Sequence, residues 1–194
     1  MKWLGGFVST LVLLLCLVQQ GCDNSPTKPV ERETNLISNG SFELDGEPSL
    51  DGWTVVSPTG GVTLVNEAAP NGGEYSLQMS SGGLMAAPSR LTVAVCEAQT
   101  GEVYRLSAYL RGESGVPQPG GRIGLSVGPD LGTGGIEVYC RDTAWTRVSL
   151  TLTVGENPQD SVRVWLMSFP GGCTNFGKGF YDLVTLERVE ETVQ

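Results

Sequence analysis

From Asn35 onward, apolar and polar residues alternate with a period of two in short runs, and no stretch holds an apolar 3.6-residue period for three turns. The pattern predicts strands near residues 36–43, 52–57, 61–67, 75–80, 90–97, 102–111, 121–128, 144–154, 161–169 and 179–189, and no helix. Turn signals separate them: Pro70-Asn71-Gly72-Gly73, Ser81-Gly82-Gly83, Pro117 to Gly121, Gly132 to Gly135 and Pro170-Gly171-Gly172. So many short strands within 35–190 predict an all-β fold, a two-sheet antiparallel sandwich or jelly roll.

Period-2 parity sorts core from surface. In 102–111, Tyr104, Leu106, Ala108 and Leu110 face one way and Arg105, Ser107, Tyr109 and Arg111 the other. In 144–154 the apolar set is Val148, Leu150, Leu152 and Val154. In 161–169, Val162, Val164 and Leu166 oppose Arg163, Trp165, Met167 and Phe169. That last outward set is unusual, because a face turned from the core should be polar unless something covers it.

The first 21 residues carry a different pattern. Lys2 precedes an unbroken apolar run from Leu11 to Val18, too short for a membrane-spanning helix, which needs about 20 residues. The run ends in Gly21-Cys22, which resembles the bacterial lipobox, although Gln19 and Gln20 depart from it. The resemblance implies cleavage before Cys22 and lipidation of its thiol; the alternative is ordinary cleavage nearby. Residues 22–34 then form a polar, proline-containing linker, 35–190 the domain and 191–194 a tail. The expected location is the bacterial cell envelope, with the membrane reached through the lipid anchor, on the periplasmic side or at the cell surface.

Residues 22–194 keep 11 basic residues against 21 acidic ones, for a formal charge near −10, and the arginines are scattered along the chain. Binding to nucleic acid or to an anionic membrane surface by charge is therefore not expected. The chain has no histidine, which removes Ser-His-Asp and Cys-His catalysis and His-ligated zinc. Cys96, Cys140 and Cys173 are too far apart in sequence for the paired ligands of a zinc site, and in an exported chain they allow one disulfide, whose partners their spacing does not decide.

The segments Asn35-Leu-Ile-Ser-Asn-Gly-Ser-Phe-Glu43, Asp51-Gly52-Trp53, Gly73-Glu74-Tyr75-Ser76-Leu77, Gly101 to Ser107, Trp145-Thr146-Arg147-Val148 and Phe180 to Leu186 follow one another in a recognisable order. Together they resemble the jelly-roll carbohydrate-binding modules of bacterial cellulases and xylanases (families four, nine and twenty-two, the CenC-like group), of galactose-binding-like fold. Where members commonly carry two acids before Val, this chain has Asp182-Leu183.

The resemblance implies a structural calcium held by the side chains of Glu43 and Asp182, with main-chain carbonyls near Asn39, Ser41 and Gly73 completing the six to eight oxygens that calcium takes. Two solvated acids at strand ends are the plainer alternative. It implies a framework role for Trp53, Trp145, Tyr104 and Phe42, and favours a Cys96–Cys140 disulfide over Cys140–Cys173.

Parity nominates a sugar site of Tyr109 and Trp165 flanked by Arg105, Arg111, Arg163 and Gln78. Aromatic rings suit the apolar face of a pyranose, and arginine forks suit vicinal hydroxyls or a uronic carboxylate. A solvated sheet face for the arginines, and packing under a loop such as 171–178 for Trp165, compete with that role. The expected function is non-catalytic binding of a polysaccharide or oligosaccharide. The alternatives are an adhesive lipoprotein that binds an envelope protein, and a small glycoside hydrolase or lyase. The cleft strands offer no pair of carboxylates for the last of these.

Overall fold

The computed structural model describes residues 35–57, 60–81, 88–116, 118–129, 135–158, 160–169 and 177–189, with only the backbone at Gln118. The expected leader, Cys22, the expected linker, Cys173 and the expected tail lie outside the described residues.

Among the described residues every regular element is a strand: β1 (Glu43–Leu44), β2 (Glu47–Pro48), β3 (Thr54–Ser57), β4 (Val62–Val65), β5 (Ser76–Ser80), β6 (Arg90–Glu97), β7 (Val103–Gly112), β8 (Gln118–Pro119), β9 (Gly121–Val127), β10 (Ile136–Cys140), β11 (Thr146–Thr153), β12 (Ser161–Ser168) and β13 (Gly177–Val189). One sheet runs β10-β9-β12-β6-β3 and the other β11-β7-β13-β5-β4, both antiparallel, with β8 added in parallel to the start of β13. A small β1-β2 hairpin stands apart from both. The protein is an all-β antiparallel sandwich of the jelly-roll kind.

The core lies between the sheets and is built by the expected parity. Tyr104, Leu106, Ala108 and Leu110 from β7 meet Val162, Val164 and Leu166 from β12, and all seven are buried. Removing such side chains from water is the main favourable term in folding, about 1.5–3 kcal/mol for each large one. Trp53 and Phe42 pack ring to ring at 5.6 Å, and the Trp53 indole donates to the Asn39 carbonyl at 2.7 Å. Both are framework residues, as is Tyr104. Trp145 is not: it is half-buried on the outer side of the second sheet, edge-on to Phe180 at 6.5 Å.

Two elements depart from the sequence expectation. The opening segment 36–43 forms strand only at its last residue, because it is tied to β13 by separate bonds rather than by a ladder. Leu36 donates to the Leu186 carbonyl, the Asn35 side chain accepts from Leu186, and Gly40 accepts from Val184. The positive φ of Phe42 then turns the chain away. The second departure is β10, which the strand pattern had passed over. Ile136, Val138 and Cys140 alternate there with Glu137 and Tyr139.

Candidate functional site

Register places the outward side chains of each sheet. On the five-stranded sheet, one row runs Tyr139, Arg122, Met167, Arg90, and the next runs Glu137, Gly124, Trp165, Thr92, Thr54. Arg163 lies one row further, aligned with Ser126 and Ala94. Tyr139 is 63 % exposed and meets Phe169 edge-on at 6.2 Å. The Arg141 guanidinium sits 4.9 Å from the Phe169 ring and 6.0 Å from that of Tyr139. Arg122 donates to both oxygens of Glu137 at 3.2 Å.

On the six-stranded sheet the outer face carries Arg111, Phe180 and Gln78 in one row, Arg147, Tyr109 and Asp182 in the next, and Arg105 aligned with Glu187 further on. Arg111 lies 3.8 Å from the Phe180 ring and 5.3 Å from Trp145, and pairs with Glu67. A cation stacked and paired in this way holds the 66–75 loop onto the sheet and is not open to a ligand.

The single groove expected from Tyr109, Trp165, Arg105, Arg111, Arg163 and Gln78 therefore does not form. Tyr109, Arg105, Arg111 and Gln78 belong to one face of the sandwich, Trp165 and Arg163 to the opposite one. Trp165 is only 5 % exposed, and its indole donates to Ser126 Oγ at 2.8 Å. Parity told correctly that it points away from the core, but a buried ring cannot stack on a sugar. Tyr139 was missed with its strand, and the alternation of Ile136, Val138 and Cys140 was the signal that could have found it.

The predicted metal residues converge at one end of the six-stranded sheet. Asp182 is fully buried; its carboxylate accepts from the amides of Ala69 at 2.8 Å and Leu183 at 2.7 Å. Glu43 accepts from the amides of Glu74 and Tyr75, and Gly73 lies against its carboxylate. Burial, helped by the charge of Glu43, pushes the Asp182 pKa up to about 6, while the two amides pull the other way. Among the described residues no basic side chain pairs with either acid, and the buried Asn39 Oδ1 has no partner. Two carboxylates that repel each other, with an orphaned amide oxygen on the turn that leads to Glu43, suit a hard cation. Among the described residues no third acid, Cys or His joins them, so such an ion would draw its remaining oxygens from Asn39 and from main-chain carbonyls.

The expected Cys96–Cys140 bridge is absent; both thiols are free. Cys96 aligns with Val162, whereas Cys140 aligns with Gly121 and through it with Ser168 at the other end of β12. Six positions along a strand are about 20 Å, and a disulfide needs Cα atoms within about 7 Å. The alternative, Cys140–Cys173, involves a residue outside the described set.

A family model described as "Carbohydrate binding domain" matches residues 34–170. Among curated proteins the chain has no match. The xylan-binding CBM22-1 domain of Paenibacillus barcinonensis Xyn10C is similar at 19 % identity and a TM-score of 0.56, over 83 % of this chain and 98 % of that one. TmCBM61 in complex with β-1,4-galactotriose is similar at 24 % identity and a TM-score of 0.51, over 80 % and 99 %. The enzymatically active domain of bacteriophage CBA120 tailspike protein 4 is similar at 13 % identity and a TM-score of 0.55; the chain covers 21 % of its length. At these identities the likeness is one of fold.

Proposed function

This chain belongs to the carbohydrate binding domain family, and from that premise we propose that it binds a polysaccharide or oligosaccharide, without cleaving it, on the outer face of the five-stranded sheet. The observation that carries the placement is Tyr139. Among the described residues it is the one aromatic ring with most of its surface exposed. A ring held edge-on by Phe169 and flanked by Arg141 and the Arg122–Glu137 pair offers a platform for the C–H face of a pyranose, with planar polar groups beside it for hydroxyls. The fold neighbours described as a xylan-binding domain and as a galactotriose complex agree with a sugar ligand.

Hydrolysis is a poor fit. A glycosidase flanks the scissile bond with two carboxyl groups. Glu137 is committed to Arg122, and the Glu43–Asp182 pair includes an acid with no exposed surface. That pair is instead the proposed calcium site, with Asn39 Oδ1 and carbonyls near Asn39, Ser41 and Gly73. Calcium there neutralises two acids that otherwise repel, and ties the start of the domain to its closing strand. Residues 1–34 are read as a lipoprotein leader and tether, which holds the sugar-binding face at a membrane of the cell envelope.

Affinity electrophoresis in gels cast with xylan, β-glucan or galactan tests the placement. Tyr139→Ala should weaken retention by about 1–3 kcal/mol, the range for planar rings stacked on aromatic side chains, and leave the thermal melt unchanged because the ring is exposed. A wild-type protein retained by no glycan, or an undiminished Tyr139→Ala variant, overturns it.

A further inference from the structure

Arginines that are far apart in sequence collect on the face that carries Tyr139. Arg90 and Arg122 sit one strand to either side of Met167, which puts their Cα atoms about 10 Å apart. Arg141 lies over Tyr139 and Phe169, and Arg163 stands further along the same face. The chain as a whole is acidic, at a formal −9, so this is a local reversal of sign.

Among the described residues only Arg122 of the four has a carboxylate partner, Glu137; on the opposite sheet Arg111, Lys178 and Arg188 each have one, while Arg105 and Arg147 form no ion pair. Nε of Arg122 and Nε of Arg163 are buried without an acceptor, as is Nε of Arg111 on the opposite sheet. The other acids near this sheet do not cancel the charge. Asp142, next to Arg141, accepts from the Thr146 hydroxyl at 3.1 Å and keeps its charge, so with Glu137 two acids stand against the four arginines; Glu97 aligns with Ser161, next to Asp160, at the far end of the strands.

Resting on the reading of this face as the sugar-binding surface, we propose that its ligand is an anionic glycan, a uronate-containing polymer, whose ring stacks on Tyr139 while its carboxylates are taken by Arg90, Arg141 and the free donors of Arg122 and Arg163. The guanidinium fork matches a carboxylate with two parallel bonds, a geometry that a neutral hydroxyl cannot reproduce. Neutral glycans keep the stacking and lose the charge-assisted bonds.

The test uses the full chain with two soluble probes that share one backbone, an oligogalacturonide and its methyl ester, titrated calorimetrically at 20 and 200 mM NaCl. The acid should bind at least tenfold more tightly than the ester at low salt, and the ratio should shrink at high salt because exposed ion pairs are screened. Arg90→Gln combined with Arg141→Gln should bring the acid down to the affinity of the ester. Arg147→Gln, an exposed arginine on the opposite sheet, should leave the ratio unchanged. Equal affinity for acid and ester, or a preference that survives the double substitution, overturns the anionic ligand and leaves the sugar face standing. Binding to neither probe, nor to neutral xylan, β-glucan or galactan, removes both.

Discussion

At the scale of single residues, the distinction that matters is between side chains that point outward and side chains that water can reach. Trp165 and Tyr139 both leave the core on the same sheet, yet one is 5 % and the other 63 % exposed. Asp182 is the other decisive residue, and its burial makes a pH prediction. An aspartate titrates near 3.9 in an unfolded chain and at about 6 here, so the folded state holds the proton more tightly. The stabilisation is fully present below pH 3.9 and is lost as pH rises through 6, a change of about 3 kcal/mol. In EDTA, urea unfolding should therefore show stability falling between pH 4 and 7, beyond any fall in Asp182→Asn. Excess calcium should reverse the trend in the wild type by favouring the ionised form, and should do nothing for Asp182→Asn. Superimposable pH profiles for the two proteins would dismiss the buried charge, and a melt indifferent to calcium would dismiss the metal.

At the scale of elements, β13 shows what alternation can and cannot tell. Tyr181 and Val184 both enter the core although three positions separate them, which strict alternation forbids. A bulge between Asp182 and Thr185, with Leu183 at a φ of 49°, resets the parity so that Val184 and Leu186 return to the core, while Asp182, next to the inward Tyr181, stays on the outer side. The partnership of Asp182 with Glu43 was implied by its motif; the bulge that follows it was not. The same strand ties the two sheets together. The Tyr181 hydroxyl donates to the Met167 carbonyl at 2.6 Å and passes so close to Gly121 that a Cβ there would overlap it. Gly121→Ala should cost about 1–3 kcal/mol, the usual penalty for overpacking a closed site. Tyr181→Phe in that background should return only a small part of it, because the oxygen is gone but the ring carbon that bore it still overlaps the added Cβ. Chemical denaturation of the single and double variants measures this, and additive losses would mean that the hydroxyl is not the obstacle.

At the scale of the whole molecule, the tether prediction belongs to residues 1–34. Cys22→Ser should move the protein from the membrane fraction to the soluble fraction of the envelope and abolish labelling by a fatty-acid probe; unaltered fractionation and labelling would end the lipoprotein reading. The all-β class and the inward faces of β7, β11 and β12 followed from the sequence alone, because a strand's side-chain period is a local property that needs no partner. The framework role of Trp53 and the carboxylates of the proposed calcium site were carried by motifs for a related reason, since each lies within a few residues of a turn that shapes it. Which outward faces share a surface was decided only in three dimensions. Sheet order set Tyr109 and Trp165 on opposite sides of the sandwich, put Cys96 and Cys140 at opposite ends of it, and gathered Arg90, Arg122, Arg141 and Arg163 onto one face. Strand pairing joins residues tens of positions apart through backbone hydrogen bonds that any side chain permits, so their adjacency leaves little trace in the sequence.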